Sequence, residues 1–348
     1  MLDAPEKEVQ YTTVQKLQTI MSSIAVGCTY NCDINHQLVP YTAEAKLLGM
    51  ERFPDQCQIN RFLRHSDFMT LSQLDTLFCW AVKLYSLASM EPGKVNIDID
   101  STGLIANGRT YQLNRKGYFA KRKGERGYQL SICVTGATGD ILVHSFLPGN
   151  HSAPTDFIDI IYGAAEVLGS FDRLGIIRAD AGYGTAPNLD FLIEQELLFV
   201  VKGRNPKSFT DMVPFITPTD WIYANSTADI CDEGIQAIPR SKGKNLARVI
   251  MIRYKTKKGK YKYSFLYTNL DWDAMDIYEF YNSRQCIESI IRTNKSSLNI
   301  KNLRTRDFCG ISAFLYLAFL THNMLNVFKK AVLEPMGLIE DWYAQFGS

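Results

Sequence analysis

Three acidic residues stand where carboxylates could hold divalent metal ions. Asp100 and Asp180 each end an apolar run typical of a short buried strand, and Glu288 lies in a segment with helical periodicity. Two aspartates at strand ends and one helical glutamate offer only oxygen ligands, which Mg2+ prefers. Two such ions can hold both the attacking and the leaving oxygen of an in-line phosphoryl displacement. The residues therefore predict metal-dependent phosphoryl transfer, with these three as catalytic residues and metal ligands.

The first ligand has a second candidate, because Asp98 shares a strand with Asp100. Side chains alternate along a strand, so both carboxylates should point to the same face. An acidic pair at the end of an apolar strand is costly unless it is used. We favour Asp100 because it directly precedes Ser101 and Thr102, and Asp98 stays open as the alternative.

The segment 281–295 surrounds Glu288 with cations when it is drawn as a single helix at about 100° per residue. One narrow stripe then carries Tyr281, Arg284, Glu288, Arg292 and Lys295. An adjacent apolar stripe would face the core. A surface helix with Arg–Glu pairs along its own face would show the same pattern, but the two aspartate motifs favour a metal site.

Two clusters of basic residues favour contact with DNA, although the formal net charge is only +2. The stretch 240–262 has no acidic residue and contains Arg240, Lys242, Lys244, Arg248, Arg253, Lys255, Lys257, Lys258, Lys260 and Lys262. The second cluster contains Arg115, Lys116, Lys121, Arg122, Lys123 and Arg126. Such clusters neutralise phosphates, although a solvated surface would look alike. We expect the contacts at Lys255, Lys257, Lys258, Lys260, Arg122 and Lys123.

The elements that must position these residues follow a defined order. Strand-like runs at 95–100, 130–135 and 141–146 are joined by short turns and predict an antiparallel meander. A helix at 154–168, a strand at 175–180, a helix at 188–197 and a strand at 198–202 follow, which predicts parallel pairing. This order predicts an α/β fold, a ribonuclease H-like mixed-sheet core with helices on its faces.

Four regions are expected along the chain. Residues 1–90 form a helical N-terminal region that binds DNA, dimerises or caps the core. Residues 91–203 form the first part of the core, 204–270 a β-rich basic insertion, and 271–348 the second part with the glutamate helix. Two capping boxes predict helix starts in the first region: Asp55 with Gln58, and Thr70 with Gln73.

The composition excludes several classes of protein. With 46% hydrophobic residues among 348, the chain can bury a large core, and disorder is not expected. Eight cysteines in a chain of this length do not make a disulfide framework. The polar residues 1–10 predict no signal peptide, and the longest apolar run, 308–320, is too short to span a bilayer. We expect a cytoplasmic, nucleoid-associated protein with no membrane partner.

Three motifs resemble those of bacterial insertion-sequence DDE transposases. The segment around Glu288 resembles the family's Y-R-E-K signature, with the spacing Tyr281-x2-Arg284-x3-Glu288-x6-Lys295. Asp100-Ser101-Thr102 resembles the first D-x-T element, and Asp180-Ala181-Gly182-Tyr183 the second D-x-G-F/Y element. The resemblance covers about residues 95–330. A four-residue signature at fixed spacing behind two aspartate motifs is specific.

The resemblance implies cut-and-paste transposition, with cleavage of element ends and strand transfer to a target. It implies that Asp100, Asp180 and Glu288 bind two Mg2+ ions, for which Mn2+ can substitute. Tyr281, Arg284 and Lys295 would hold DNA near the cut, and Arg292 shares their stripe. The implied partners are double-stranded DNA, as terminal inverted repeats and target DNA, and a second copy that makes a homodimer on DNA.

Two other functions stay open. A ribonuclease H-like nuclease would cut DNA without strand transfer, and its reaction products would identify it. A truncated, inactive copy would bind DNA without cutting it. The short region before the core agrees with truncation, whereas the presence of Asp100, Asp180 and Glu288 argues against inactivity.

Overall fold

The computed structural model describes residues 11–117, 119, 122, 124–204, 209, 211–256 and 259–338, except for the side chains of residues 153 and 154. Three of the expected DNA contacts, Lys123, Lys257 and Lys258, lie outside these described residues.

The described residues before the sheet form six helices. They are α1 (Thr13–Ala25), α2 (Ile34–Gln37), α3 (Thr42–Leu47), α4 (Gln56–His65), α5 (Phe68–Tyr85) and α6 (Leu87–Met90). The Asp55 carboxylate accepts from the Gln58 N–H and caps α4, as predicted. The predicted start of α5 is wrong: Asp67 is its N-cap and accepts from the Thr70 N–H at 2.8 Å. Aspartate is the stronger N-cap, so the helix begins earlier than the Thr70 motif indicates.

One mixed sheet forms the centre of the described chain. Its strands are β1 (Val95–Ile105), β2 (Arg115–Lys116), β3 (Arg126–Thr135), β4 (Ile141–Pro148), β5 (Leu174–Gly184), β6 (Leu198–Gly203), β7 (Ile222–Asn225), β8 (Ala228–Ala237), β9 (Leu246–Lys255) and β10 (Tyr261–Thr268). The order is β4-β3-β1-β5-β6-β10-β9-β8-β7, and the short β2 pairs with the start of β3.

The pairing confirms the predicted fold class. β1, β3 and β4 pair antiparallel, which is the expected meander, and β1, β5 and β6 pair in parallel. Phe199, Val200 and Val201 in β6 are all fully buried, as expected for a parallel strand covered on both faces. The order β4-β3-β1-β5-β6 is that of a ribonuclease H-like sheet. Strands β7 to β10 continue the same sheet, because β10 pairs antiparallel with β6.

Further α-helices pack around the sheet, and five of them have bounds within the described residues. They are α7 (Phe157–Leu168), α8 (Ala186–Glu194), α9 (Ala274–Asn282), α10 (Gln285–Ser296) and α11 (Phe308–Phe328). Helix α11 packs against α1, α4, α5 and β4 and is buried along most of its length. By length and composition Phe308–Leu333 could cross a membrane, but 72% of its apolar window is buried inside the protein. Within the described residues it is therefore the core helix.

The single helix predicted for residues 281–295 is wrong, because the chain turns between α9 and α10. The Arg284 N–H donates to the Tyr281 carbonyl, three residues back, instead of to Phe280, four residues back. The Phe280 carbonyl accepts hydrogen bonds from the side chains of Arg178 and Ser283. The Arg178 side chain from β5 and the Ser283 side chain in the turn have thus taken the acceptor that a continuous helix needs.

Candidate active site

Two neighbouring strands bring Asp100 and Asp180 together. In the parallel pair β1 and β5, Asp98 lies opposite Arg178 and Ile99 opposite Ala179, and the pairing ends there. Asp100 and Asp180 follow at once, at the carboxyl ends of the paired segments, where ligand sites of α/β sheets form. Burial raises the pKa of Asp100, and the nearby charge of Asp180 adds to that rise. The two carboxylates therefore share one electrostatic environment.

Asp98, the alternative first ligand, is already engaged beneath Asp100. It is 0% exposed, and its two oxygens accept from Arg178 Nε at 2.5 Å and from Nη2 at 2.8 Å. Burial raises the pKa of Asp98, which the Arg178 guanidinium opposes. A carboxylate held by two hydrogen bonds from an arginine has few lone pairs left for a metal ion. This arrangement favours Asp100 as the ligand.

Arg284 links the carboxylates from the turn between α9 and α10. Its Nη1 lies 3.3 Å from Asp100 Oδ2, and its Nη2 lies 3.6 Å from Glu288 Oε1. The guanidinium stands 5.6 Å from the ring of Tyr281, which is itself buried. Burial alone would lower the pKa of Arg284, but its neighbours Tyr281, Asp100 and Asp180 raise it above the usual value. Arg284 is therefore a fixed positive charge among the predicted metal ligands.

The remaining residues of the predicted stripe divide between solvent and core. Glu288, in the first turn of α10, has a side chain that is 62% exposed. Arg292 is exposed one turn further and donates to Ser289 Oγ. Lys295 instead points to β1, where its Nζ donates to Thr102 Oγ1 and to the Gly103 carbonyl. Burial lowers the pKa of Lys295. This lysine thus attaches α10 to the strand that carries Asp100.

The basic residues expected to contact DNA lie in two places. Lys255 and Lys260 are exposed on either side of the β9–β10 turn, and Arg122 is exposed near β3. The cations closer to the sheet are paired: Arg248 with Asp232 at 2.5 Å and Arg253 with Asp229 at 2.7 Å. Among the described residues of the region, exposed cations with no ion pair lie at the turn end of this hairpin, with Lys255 and Lys260, and between β8 and β9, with Arg240, Lys242 and Lys244.

Sequence reasoning missed Arg178 and Ser283. Arg178 is 3% exposed and joins Asp98 to the Phe280 carbonyl and to Ser283 Oγ. A signal was present, because a charged residue within the apolar run before Asp180 needs a buried partner. Asp98 stands two residues before Asp100, just as Arg178 stands two before Asp180, so adjacent parallel strands bring them side by side.

The three carboxylates are ligands of the type that a divalent ion prefers, but in this structure they are not arranged around a common metal position. Asp100, Asp180 and Glu288 offer the carboxylate oxygens that Mg2+ binds. Within the described ranges, no group of three or more His, Cys, Asp or Glu residues stands ready to hold a metal ion. Arg284 contacts two of the three carboxylates, so its guanidinium takes the place of a cation. These residues fit a metal ion by their chemistry, and in this arrangement Arg284 neutralises part of their charge.

Comparisons with known proteins bear on the family of the chain. Residues 91–324 match the model of a family described as the transposase DDE domain, and this range contains all three carboxylates. A comparison with curated proteins found no match.

Two solved structures are similar to the chain. One is a cryo-EM structure of the piggyBac transposase synaptic complex with hairpin DNA, at 14% identity and a TM-score of 0.51, covering 99% of this chain and 74% of that one. The other is the crystal structure of the NurA nuclease from Sulfolobus solfataricus, at 11% identity and a TM-score of 0.26, covering 62% and 80%. The first similarity is one of fold, and the second is too low to bear on fold or function.

Proposed function

The chain belongs to the DDE transposase domain family, and we propose that it cuts DNA at the ends of a mobile element and joins those ends to target DNA in a Mg2+-dependent reaction. One observation carries the proposal: Asp100 and Asp180 end neighbouring parallel strands, and Arg284 connects Asp100 to Glu288. In this proposal the three carboxylates hold the ions. Members of the family use divalent metal ions, and Mg2+, with Mn2+ as a substitute, is our proposal for this chain.

The bound ions would supply stabilisation of negative charge on the attacking and leaving oxygens. The protein's own groups prepare the site for this. The Ser101 N–H donates to Asp100 Oδ1 at 2.8 Å and fixes the orientation of that carboxylate. Lys295 ties α10 to β1 through the Gly103 carbonyl at 3.0 Å, which keeps Glu288 on the same side as Asp100. Arg284, beside Tyr281, is placed to bind a phosphate of the strand to be cut.

DNA binding in this proposal uses both basic regions. Lys255 and Lys260 are exposed cations that can contact phosphates without first breaking an ion pair. Arg122 is also exposed, with its Nη1 3.6 Å from Glu125 Oε2, and would exchange that contact for a phosphate. Arg292 extends this charge along the exposed side of α10. The similar piggyBac structure is a synaptic complex with DNA, which supports the same partner here. Terminal inverted repeats, target DNA and a second copy of the chain on the DNA are parts of the proposal.

The regions of the chain take separate roles in this account. Residues 91–203 and 271–348 form the catalytic core, 204–270 form the basic insertion, and 1–90 form a helical region that binds DNA or dimerises. The protein acts on chromosomal DNA in the cytoplasm, at the nucleoid.

The test uses the DNA that flanks the chain's own reading frame. Linear DNA carrying both flanks is incubated with the purified protein, Mg2+ and a supercoiled target plasmid, and the products are sequenced. We expect breaks at the outer edge of each inverted repeat, where the element meets its flanking DNA, and covalent joints between those ends and the plasmid. Asp180→Asn serves as the matched control and should give neither product.

Two results would contradict the proposal. Cleavage of the ends without any strand-transfer product, in the presence of intact target DNA, would identify the protein as a nuclease. Binding of the repeats with neither breaks nor joints in Mg2+ or Mn2+ would make it an inactive DNA-binding copy.

A further inference from the structure

A buried ion pair lies directly beneath the two aspartates of the site. Asp98 and Arg178 are 0% and 3% exposed, and they are the residues two positions before Asp100 and Asp180. Because strand side chains alternate, each pair of positions shares one face of the sheet. The ion pair and the carboxylate pair are therefore consecutive layers on the same face.

The Nη1 group of Arg178, which does not contact Asp98, donates to residues at the end of α9 and in the turn that follows it. Its Nη1 donates to the Phe280 carbonyl at 2.5 Å and to Ser283 Oγ at 2.5 Å. Its guanidinium stacks 4.4 Å from the centre of the Phe280 ring. The first turn of α10 also reaches the pair, because Cys286 Sγ lies 3.5 Å from Asp98 Oδ2. One side chain thus joins β1, β5 and the end of α9.

This contact decides where α9 ends. The Phe280 carbonyl is the acceptor that the Arg284 N–H would need in a continuous helix, and Arg178 and Ser283 occupy it. The Arg284 N–H therefore bonds to Tyr281, and the chain turns before α10 begins at Gln285. The turn carries Arg284, and α10 carries Glu288 in its first turn.

The surroundings leave space for this arginine. A Cβ atom built on Gly136, in the turn after β3, would lie 3.0 Å from Arg178 Nη2.

Replacing a buried ion pair by apolar residues of similar volume is often neutral or stabilising, so such a pair is weak evidence for stability alone. A role in fixing one geometry explains why the pair stands at this place.

We propose that Arg178, oriented by Asp98, is a positioning residue that sets the turn between α9 and α10 and thereby places Glu288 and Arg284 opposite Asp100 and Asp180. The inference rests on the proposed function for its catalytic consequence, whereas the claim about the turn does not. Arg178 touches neither substrate nor metal in this account, because Asp100 and Asp180 lie between Arg178 and the place where substrate and metal would bind.

The experiment compares Arg178→Lys and Ser283→Ala with the parent chain. Lysine keeps the positive charge beside Asp98 but has one nitrogen, which cannot bind the carboxylate in two places and the Phe280 carbonyl as well. Ser283→Ala removes one acceptor of Arg178 and leaves the ion pair intact. Arg248→Lys is the matched control, because Arg248 also pairs with an aspartate, Asp232, and donates to two backbone carbonyls, those of Leu270 and Trp272, instead of to the turn between α9 and α10.

The first measurement is amide hydrogen exchange at peptide resolution. In Arg178→Lys we expect peptides that cover the turn from Ser283 to Ile287 to exchange at least tenfold faster, with α11 unchanged. Ser283→Ala should show a smaller increase at the same place. If Arg178→Lys leaves the turn as protected as in the parent, Arg178 does not set the turn and the proposal is overturned.

The second measurement is Mn2+ binding in the presence of end DNA, whose phosphate engages Arg284 in this account, followed by electron paramagnetic resonance, together with the Mg2+ concentration that gives half-maximal cleavage. Both should shift about tenfold towards weaker binding in Arg178→Lys and about twofold in Ser283→Ala. A residue that served only stability would lower the unfolding temperature without moving these metal titrations. Faster exchange with parental metal titrations would therefore overturn the positioning role.

The outcomes separate this proposal from the proposed function. If the parent chain itself neither binds metal nor cuts DNA, the proposed function fails, and the exchange data still decide whether Arg178 sets the turn. If Arg248→Lys shifts the metal titrations as much as Arg178→Lys does, the effect is not specific to this pair, and the proposal fails.

Discussion

Arg284 is a buried cation that contacts the groups expected to bind metal. Its side chain is 7% exposed and lies within 3.6 Å of both Asp100 and Glu288. Two unit charges a few ångströms apart attract one another by several kcal/mol at an effective dielectric constant of about 20. The guanidinium and a metal ion should therefore compete for the same carboxylates. A DNA phosphate that draws Arg284 away would favour metal binding, so the two ligands should bind cooperatively.

Removing this charge should strengthen metal binding when DNA is absent. In Arg284→Gln we expect Mn2+ to bind about tenfold more tightly, a change of about 1.4 kcal/mol. Isothermal titration with Mn2+ on the free protein measures the effect, and circular dichroism checks the fold. Arg292→Gln is the control, because Arg292 is exposed one turn away and its contact is with Ser289 Oγ. Unchanged Mn2+ affinity in Arg284→Gln would show that no competition exists.

The sequence predicted the kinds of residue at the site better than their contacts. The alternation of side chains placed Asp98 and Asp100 on one face but could not separate their roles. The partner of Asp98, Arg178, comes from another strand 80 residues later. A pattern along one segment carries no information about that register. For the same reason the sequence placed Lys295 beside Arg284 as a DNA contact, whereas the structure turns it towards Thr102.

At the scale of elements, local signals predicted most helices and strands and failed where distant groups intervene. The Asp55 cap of α4 and the strand β1 follow from nearby residues. The turn between α9 and α10 does not, because the apolar periodicity continues through it and the cause is the Arg178 side chain. The extra strands beyond β6 were predicted as β-rich, but their continuation of the central sheet depends on the pairing of β10 with β6.

The β9–β10 hairpin gives a prediction that belongs to this scale. Lys255 and Lys260 flank its turn and are exposed, whereas Arg248 and Arg253 nearer the sheet are held by aspartates. Changing both lysines to glutamine should remove about two phosphate contacts. The slope of log binding constant against log salt concentration is negative, and it should become less steep by about 1.8, because each duplex phosphate contact contributes about 0.9. Binding of end DNA between about 50 and 200 mM salt gives the slope.

A double variant elsewhere controls for the loss of charge. Lys94→Gln with Lys83→Gln removes the same charge, from the residue before β1 and from α5, where Lys83 Nζ lies 3.7 Å from Glu166 Oε1. If this control flattens the slope as much as the hairpin variant does, the hairpin has no special role in DNA binding.

At the scale of the whole molecule, a half-buried histidine enclosed by aromatic rings makes stability depend on pH. His144 packs between Phe78, Tyr316 and Phe319, with ring centres 4.3 to 5.7 Å away, and burial lowers its pKa to about 3. The unfolded chain binds a proton there below about pH 6.5, and the folded chain does not. The contribution of the neutral His144 to the free energy of unfolding is therefore complete above about pH 6.5 and is lost progressively as the pH falls towards 3.

Replacing this histidine by phenylalanine should remove its part of the pH dependence. Between pH 7.5 and 5.5 the parent should lose about 1.4 kcal/mol more of its free energy of unfolding than His144→Phe loses. Urea unfolding at the two pH values measures the difference. The exposed His36 provides the control, since His36→Phe should keep the parental dependence. Equal losses in the parent and in His144→Phe would mean that His144 is not held neutral in the core.

The central claim is that Asp100, Asp180 and Glu288 act together as metal ligands in cutting DNA, and Glu288 tests it most directly. Among the three carboxylates, Glu288 is the exposed one, and it lies in the first turn of α10. Its replacement should therefore leave the packing of the core unchanged. Glu288→Gln keeps the shape and removes one negative charge near the DNA. The measurement is binding and cleavage of end DNA by Glu288→Gln and the parent, with Mg2+ present and absent. We predict binding equal to or tighter than that of the parent, and cleavage reduced at least a hundredfold, about 2.7 kcal/mol in the barrier. Cleavage by Glu288→Gln near the parental rate would contradict the account.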